Sequence, residues 1–142
     1  MTTERFNGPE RRAYVRLEKA LPVRIKITGN PSSQTIMLTT KNISQGGICL
    51  EIQSEQEAII KALSAANHKV GIDLNTLIPR HHHAASERPH WVRGRVDWAT
   101  ELDPAGRTLQ VGLEFEDLTE EARKRIRDYL VDQFLRQYPQ HH

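Results

Sequence analysis

The sequence lacks the short motifs by which many enzyme classes are recognised. It contains no GxSxG nucleophile turn, no HExxH metal pair, no Walker-type glycine-rich loop and no CxxC pair. Its single cysteine, Cys49, cannot form a disulfide within one chain. The apolar neighbours Ile48 and Leu50 predict that Cys49 is a buried strand residue and not a nucleophile or metal ligand. These absences predict a binding module without catalytic residues.

Long apolar runs and targeting signals are absent as well. No stretch of about 18 apolar residues occurs, so we expect no membrane insertion. The polar first residues have no apolar core of a secretion signal, and the predicted compartment is therefore the cytoplasm. A length of 142 residues fits one domain. We place this domain at residues 10–137, between a disordered N-terminal segment (1–9) and a tail (138–142).

The histidines do not predict a metal site. His81, His82 and His83 are consecutive, and consecutive side chains cannot all face one ion in regular structure. Their predicted loop also lacks carboxylates or cysteines at ligand spacing, so we expect no physiological metal ion and only adventitious metal capture.

The positive charge is too local for a long nucleic acid. The net charge is only +2, but residues 1–26 hold seven Lys or Arg against three Glu. This local excess suits a small anionic partner, whereas DNA or RNA binding usually needs a broad basic face. Trp91 with Arg93 and Arg95 is the only aromatic and basic stretch that would suit a nucleic-acid-binding barrel. We therefore expect no DNA or RNA partner.

Alternation of apolar and polar side chains predicts a mainly β protein. The predicted strands are residues 21–28, 34–41, 47–52 and 69–76, with two more within residues 91–115 on either side of a turn at 103–106. Six short antiparallel strands most easily close into a small barrel, because closure leaves no exposed edge.

Two helices are predicted in addition. A capping box at residues 54–57, followed by apolar residues at helical spacing, predicts a short helix at 55–66. Thr119 is the predicted N-cap of a longer C-terminal helix.

Positive side chains are concentrated just before the first predicted strand. Arg11, Arg12 and Arg16 place three guanidinium groups within six residues. A guanidinium group donates a planar fork of hydrogen bonds that fits phosphate oxygens and the O6/N7 edge of guanine. Arg12 and Arg16 fall on the same side of either a helix or an extended chain, so both can contact one ligand, whereas Arg11 points elsewhere.

A polar loop with two glycines lies between two predicted strands, at residues 42–47. Asn42 and Ser44 have short side chains that can hydrogen-bond to the backbone or to a ligand. Gly46 and Gly47 permit positive φ and a close approach of the backbone to another group. By itself this segment would be an ordinary turn, but together with the arginines it predicts a site for an anionic, purine-bearing ligand.

In this order and spacing, the two segments resemble the RxxxR and (D/N)xSxxG elements of the PilZ domain, with Asn42 where Asp is commoner. The last predicted strand contains the sequence VGLEF (111–115), which resembles the GxxF-like element of the same family. The resemblance covers residues 10–136. It implies a six-stranded antiparallel β-barrel with a packed C-terminal helix. It also implies a cyclic-di-GMP receptor that regulates an unidentified protein partner when ligand binding changes its N-terminal segment.

The resemblance also implies residue roles. The residues that fall on the family's ligand-binding motifs are Arg12, Arg16, Asn42, Ser44, Gly46 and Gly47. Arg11 directly precedes the RxxxR pair, which in this family goes with two intercalated cyclic-di-GMP molecules per domain in place of one. No cofactor other than this ligand is implied.

Two questions stay open at this level. Trp98 lies where PilZ domains often carry an aromatic residue at the barrel rim and could stack on a base. It could equally continue the inward-facing row of Val92, Gly94 and Val96. A PilZ-like domain could also act through protein contacts alone, without the nucleotide, although the intact motifs argue against this.

Overall fold

The structure, a computed structural model, describes residues 15–28, 34–54, 56–78, 88–105 and 107–137. The strands are β1 (Leu17–Glu18), β2 (Pro22–Ile27), β3 (Gln34–Ile43), β4 (Gly47–Gln53), β5 (Lys69–Asp73), β6 (Trp91–Glu101) and β7 (Thr108–Glu116). The helices are α1 (Glu57–Leu63), α2 (Leu74–Leu77) and α3 (Glu120–Gln137). The predicted N-terminal segment (1–9), the tail (138–142) and the histidines at 81–83 lie outside the described residues.

Six of the described strands form a closed barrel. Each pairs antiparallel with its neighbours in the order β3, β2, β5, β6, β7 and β4, and β4 pairs back onto β3. β1 adds two residues to β3, where Leu17 faces Ile43 and Glu18 faces Asn42. The predicted six-stranded antiparallel barrel with a C-terminal helix is therefore confirmed. Closure removes the long open edge along which a sheet would associate with another chain.

The apolar half of each alternating strand fills the barrel. On β2, Val23, Ile25 and Ile27 are buried, while Arg24 and Lys26 between them face outward. The same alternation on β4 and β7 gives each strand one inner and one outer face. Burying a side chain of this size contributes about 1.5–3 kcal/mol. The alternating strands therefore also supply apolar side chains whose burial stabilises the fold.

The strand predicted at 69–76 is shorter in the structure and ends at Asp73. The buried Asp73 carboxylate accepts hydrogen bonds from the backbone N–H of Asn75 (3.0 Å) and of His90 (2.9 Å). The first of these caps the one-turn helix α2, so the chain leaves the sheet here although Leu74 continues the apolar alternation.

The helix predicted at 55–66 is present as α1, but it spans only Glu57–Leu63. The capping-box prediction is wrong, because Gln56 is the N-cap and makes no side-chain cap hydrogen bond. Ser54 instead closes a local turn, in which its Oγ accepts from the backbone N–H of Gln56 (2.9 Å).

Helix α3 begins where the sequence predicts. Thr119 Oγ1 accepts a hydrogen bond from the backbone N–H of Ala122 (3.1 Å), and such an N-cap is worth about 1 kcal/mol. Ala122, Ile126 and Leu130 lie at helical spacing and are buried in the same core as the barrel interior. Among the described residues, no helix is both long and apolar enough to cross a membrane.

Candidate functional site

A cavity of about 350 Å³ opens on the outer face of the barrel. Its walls come from the segment entering β1, from the ends of β3 and β4 with the loop between them, and from β6 and β7. The volume is within the range of small-molecule sites, roughly 300–1,000 Å³. The sequence-predicted site residues that line it are Arg16, Asn42, Ser44, Gly46, Gly47 and Trp98. The other two, Arg11 and Arg12, lie outside the described residues.

The floor of the cavity is one row of positions across four strands. Asn42 on β3 pairs with Cys49 on β4. Gly112 on β7 pairs with Cys49 on one side and with Trp98 of β6 on the other. The residues on either side of Cys49 and Gly112 along their strands belong to the barrel core, so this row faces away from it. Because neighbouring strands lie about 4.8 Å apart, the floor extends roughly 14 Å from β3 to β6.

Two β-bulges bring further side chains to the cavity. β3 has an extra residue, Lys41, immediately before Asn42, and β6 has an extra residue, Asp97, immediately before Trp98. A bulge leaves the extra residue without a cross-strand partner and re-aims the side chains that follow. Lys41 and Asp97 line the cavity at the two ends of its floor. Neither was among the sequence-predicted site residues, because nothing in the pattern of one strand marks a bulge.

The bulge at Asp97 decides where Trp98 points. Val92, Gly94 and Val96 face the core, and an unbroken strand would turn Trp98 inward with them. Trp98 is instead 36% exposed and lines the cavity. The interpretation of Trp98 as a core residue is therefore wrong. Its ring is placed where a base could stack, and that role stays a prediction.

Gly112 provides the space for the Trp98 ring. A Cβ on residue 112 would lie 2.2 Å from Trp98 Nε1 and 2.4 Å from Trp98 Cε2. Any side chain there would displace the ring, so the indole lies against the bare backbone of β7. The motifs do not assign Gly112 to the site. The available signal is a glycine inside an otherwise apolar strand, which often marks the close approach of another group.

The loop between β3 and β4 is closed by its own hydrogen bonds. The backbone N–H of Ser44 donates to the carbonyl of Gly47 (2.9 Å), and Ser44 Oγ accepts from the backbone N–H of Gly46 (3.2 Å). The N–H of Phe115 on β7 donates to the Gly46 carbonyl (2.9 Å). Ser44 therefore shapes the turn through its hydroxyl, in addition to its predicted contact with the ligand.

Gly47 is required for a steric reason that differs from the expected one. Its φ lies outside the positive region, so the expected left-handed conformation is absent at this residue. A Cβ here would lie 2.0 Å from the carbonyl oxygen of Leu113 and 3.1 Å from Glu114 Cα, because Gly47 pairs with Glu114. The glycine therefore allows β7 to approach the end of the loop.

The described cations of the cavity lie at its β3 end. Arg16, just before β1, is exposed, and Lys41 lies 3.7 Å from Glu51 across the β3–β4 pair. An exposed ion pair of this kind contributes only about 0–1 kcal/mol. Glu51 therefore holds the Lys41 ammonium group only weakly.

Cys49 is a buried residue of β4, as the sequence predicts, and its side chain lies on the cavity floor. The residue is only 7% exposed. Burial raises the pKa of its thiol, and the positive charges of Lys41 and Arg16 oppose this rise. A thiol with a raised pKa is protonated at neutral pH and is a poor nucleophile. Cys49 is therefore a poor candidate for a reactive group in the cavity.

Metal ligands do not cluster in the described ranges, where no three or more His, Cys, Asp or Glu side chains are arranged to hold an ion. The run at 81–83 lies outside those ranges, so the expected absence of a metal site stays a prediction.

Comparison with protein-family models matches residues 10–132 to the PilZ domain. The match includes the arginine segment, the 42–47 loop and the whole β6–β7 hairpin. The chain belongs to the PilZ domain family. The resemblance carried by the sequence motifs is thereby confirmed. No curated protein matches this PilZ domain.

Three solved structures illustrate the similarity of fold. The Bacillus subtilis inhibitor of motility (MotI/DgrA) has a TM-score of 0.63 and 20% identity, over 89% of this chain and 52% of that one. The PilZ domain of YcgR from Escherichia coli with c-di-GMP has a TM-score of 0.57 and 11% identity, over 89% and 95%. The K. pneumonia MrkH–c-di-GMP complex has a TM-score of 0.58 and 15% identity, over 95% and 55%. The present chain spans about half the length of MotI and MrkH. Sequence identities this low show similarity of fold alone.

Proposed function

We propose that this PilZ domain is a receptor for cyclic-di-GMP, without catalytic activity of its own. The observation that carries the proposal is the convergence of Arg16, Asn42, Ser44 and Trp98 on one cavity of suitable size. Those residues come from three separate segments of the sequence, and Arg16, Asn42 and Ser44 belong to the family's binding motifs. The PilZ domain of YcgR and MrkH, which share the fold, were both solved with c-di-GMP, and this supports the same ligand here.

The phosphates of the ligand meet the cationic end of the cavity. Arg16, together with Arg12, donates charge-assisted hydrogen bonds to phosphate oxygens and to guanine edges. Lys41 adds a second described cation beside Arg16. Arg11 supplies a further charge that offsets the repulsion between the phosphates of two bound ligand molecules.

The loop and the indole complete the contact. Asn42 and Ser44 hydrogen-bond to the ligand, while Gly46 and Gly47 keep the backbone close to it. Trp98 offers an exposed aromatic face to a guanine base, and such stacking contributes about 1–3 kcal/mol.

Ligand binding acts on a protein partner through the segment before the barrel. Arg16 lies in the cavity, and three residues later Lys19 Nζ donates a hydrogen bond to Gln133 Oε1 on α3 (2.7 Å). A ligand that holds the arginines against the barrel therefore also acts on the neighbouring residues that contact α3, and changes the surface that these residues and α3 present to a partner. We expect the receptor to act in the cytoplasm.

Calorimetric titration with cyclic-di-GMP, GTP and a short single-stranded RNA tests the proposal. We expect saturable binding of cyclic-di-GMP and no measurable binding of the other two. Binding of the RNA alone would favour a nucleic-acid-binding barrel. Binding of none of the three would favour a PilZ-like domain that acts only through protein contacts. The variant Arg93→Ala is a matched control, because Arg93 is an exposed arginine outside the cavity and should leave the affinity unchanged.

A further inference from the structure

The cavity contains carboxylates, which repel the phosphates of a dinucleotide. The carboxylate residues that line it are Glu18, Asp97 and Glu114. Glu114 is ion-paired with Arg95, and Glu18 lies on β1, at the opposite end of the floor from Trp98. Asp97 directly precedes Trp98 and forms a longer ion pair with the same Arg95 (3.8 Å), which at that distance includes no hydrogen bond. The oxygens of Asp97 therefore keep acceptor capacity for a ligand.

The position of Asp97 separates it from the phosphate-binding groups. Lys41 and Arg16 lie toward β3 and β1, whereas Asp97 and Trp98 lie on β6. The floor between β3 and β6 is about 14 Å wide. A ligand whose phosphates occupy the cationic end therefore brings a base, and not a phosphate, to the end with the carboxylate.

Guanine and adenine differ at the edge that such a carboxylate would contact. Guanine presents two adjacent donors, N1–H and the 2-amino group, whereas adenine presents the lone pair of N1 and has no 2-amino group. A carboxylate only accepts hydrogen bonds, so it can accept from both donors of guanine, whereas adenine offers it one donor, the 6-amino group, beside an N1 lone pair that repels it. Hydrogen bonds to a charged acceptor are also roughly twice as strong as those between neutral groups.

We propose that Asp97 is a specificity-determining residue that accepts hydrogen bonds from N1–H and the 2-amino group of a guanine stacked on Trp98. It thereby selects cyclic-di-GMP over cyclic-di-AMP. The β6 bulge makes this possible, because an unbroken strand would place residues 97 and 98 on opposite faces, whereas both line the cavity. This inference rests on the proposed receptor function and assigns the recognition of the base to one carboxylate.

Three ligands separate the contributions of the base edge. Cyclic-di-GMP offers both donors, cyclic-di-IMP keeps N1–H but lacks the 2-amino group, and cyclic-di-AMP offers neither. We expect the native chain to bind cyclic-di-IMP about tenfold more weakly than cyclic-di-GMP, and cyclic-di-AMP about a hundredfold more weakly. In Asp97→Ala, cyclic-di-GMP binding should fall about ten- to a hundredfold and that of cyclic-di-AMP should change by less than about threefold. The affinities for the guanine and inosine ligands should then converge.

The outcomes distinguish this proposal from the receptor function. If Asp97→Ala keeps the native preference for guanine, or weakens the binding of all three ligands equally, Asp97 does not determine base specificity. The chain would still be a receptor. If the native chain does not bind cyclic-di-GMP, the receptor function itself is overturned. Asp117→Ala is the matched control, since Asp117 is an exposed carboxylate outside the cavity, 3.7 Å from Arg93, and should keep native affinities. Circular dichroism of each variant checks that the barrel is intact.

Discussion

The indole of Trp98 lies against the backbone of Gly112, its pairing partner across β6 and β7. A Cβ on Gly112 would come within 2.2 Å of the indole nitrogen. Trp98 nevertheless stays 36% exposed, and it lines the cavity. The bulge that turns Trp98 outward therefore yields a flat aromatic surface only because the opposite position carries no side chain. The position of the Trp98 ring in the candidate site therefore depends on a glycine at residue 112.

Gly112→Ala should weaken cyclic-di-GMP binding about ten- to a hundredfold, because displacing Trp98 removes base stacking worth about 1–3 kcal/mol. Tryptophan fluorescence in a Trp91→Phe background reports on Trp98 alone, and the ligand should quench it in the native cavity but not in the Gly112→Ala variant. Gly71→Ala is the control, because Gly71 lies outside the cavity and a Cβ there would meet the Lys26 Cβ at 3.3 Å and not the Trp98 ring. Native affinity with full quenching in Gly112→Ala would show that a Cβ at residue 112 does not displace the ring, and an absence of quenching in the native cavity would show that Trp98 does not stack on the ligand.

Arg16→Ala should reduce the affinity for cyclic-di-GMP about ten- to a hundredfold, since a charge-assisted hydrogen bond is worth about 1.5–3 kcal/mol. The motif predicts the same loss for Arg12→Ala. Calorimetry measures the change, and Arg93→Ala provides the comparison with an arginine outside the cavity. A folded Arg16→Ala variant with unchanged affinity would remove Arg16 from the ligand contacts.

Asn42→Ala and Ser44→Ala should differ in their effect on stability. Both should weaken ligand binding, because both side chains line the cavity. Only Ser44 also holds the turn, through its contact with the Gly46 N–H, so Ser44→Ala should lower the free energy of unfolding by about 0.5–1.5 kcal/mol. Urea denaturation measures this difference. Equal unfolding midpoints for the two variants would mean that the hydroxyl does not stabilise the loop.

Alkylation of Cys49 should be slow at neutral pH and should accelerate as the pH rises. Burial raises the thiol pKa, so the reactive thiolate accumulates only at a higher pH than for an exposed cysteine. Iodoacetamide labelling followed by mass spectrometry, from about pH 7 to about pH 10, spans the ordinary titration of a thiol. Saturating cyclic-di-GMP should protect Cys49, because the residue lies in the cavity floor. Rapid labelling at neutral pH, or labelling unaffected by the ligand, would contradict this.

The native chain should bind two cyclic-di-GMP molecules, and Arg11→Leu should bind one. Two stacked ligands bring four phosphates together, and the third guanidinium group offsets their repulsion. Calorimetric stoichiometry at saturation measures the number directly, with Arg93→Leu as the control for the loss of one positive charge. One molecule bound by the native chain would overturn this stoichiometry without affecting the receptor function.

The sequence by itself determined the elements whose causes are local. Alternation on β2 separates Val23, Ile25 and Ile27 from the charged residues between them, and this period of two is enough to locate a strand. Thr119 satisfies the backbone N–H of Ala122 within a single turn, so the start of α3 can be predicted from neighbouring residues. The motif residues Arg16, Asn42 and Ser44 line one cavity, and their contact with a ligand stays a prediction.

Only the tertiary structure decided which side chains face the cavity beside Trp98. A bulge is a mismatch in register between two strands, so the extra residues Lys41 and Asp97 cannot be identified from either strand alone. The Asp73 carboxylate at the end of β5 also accepts a hydrogen bond from the backbone N–H of His90, seventeen residues later, and this contact cannot be identified from β5 alone. The strand pattern predicts which face of a strand each residue lies on, whereas pairing with distant strands determines where that alternation is interrupted. In this protein it is interrupted at Lys41 and Asp97, and both residues line the candidate site.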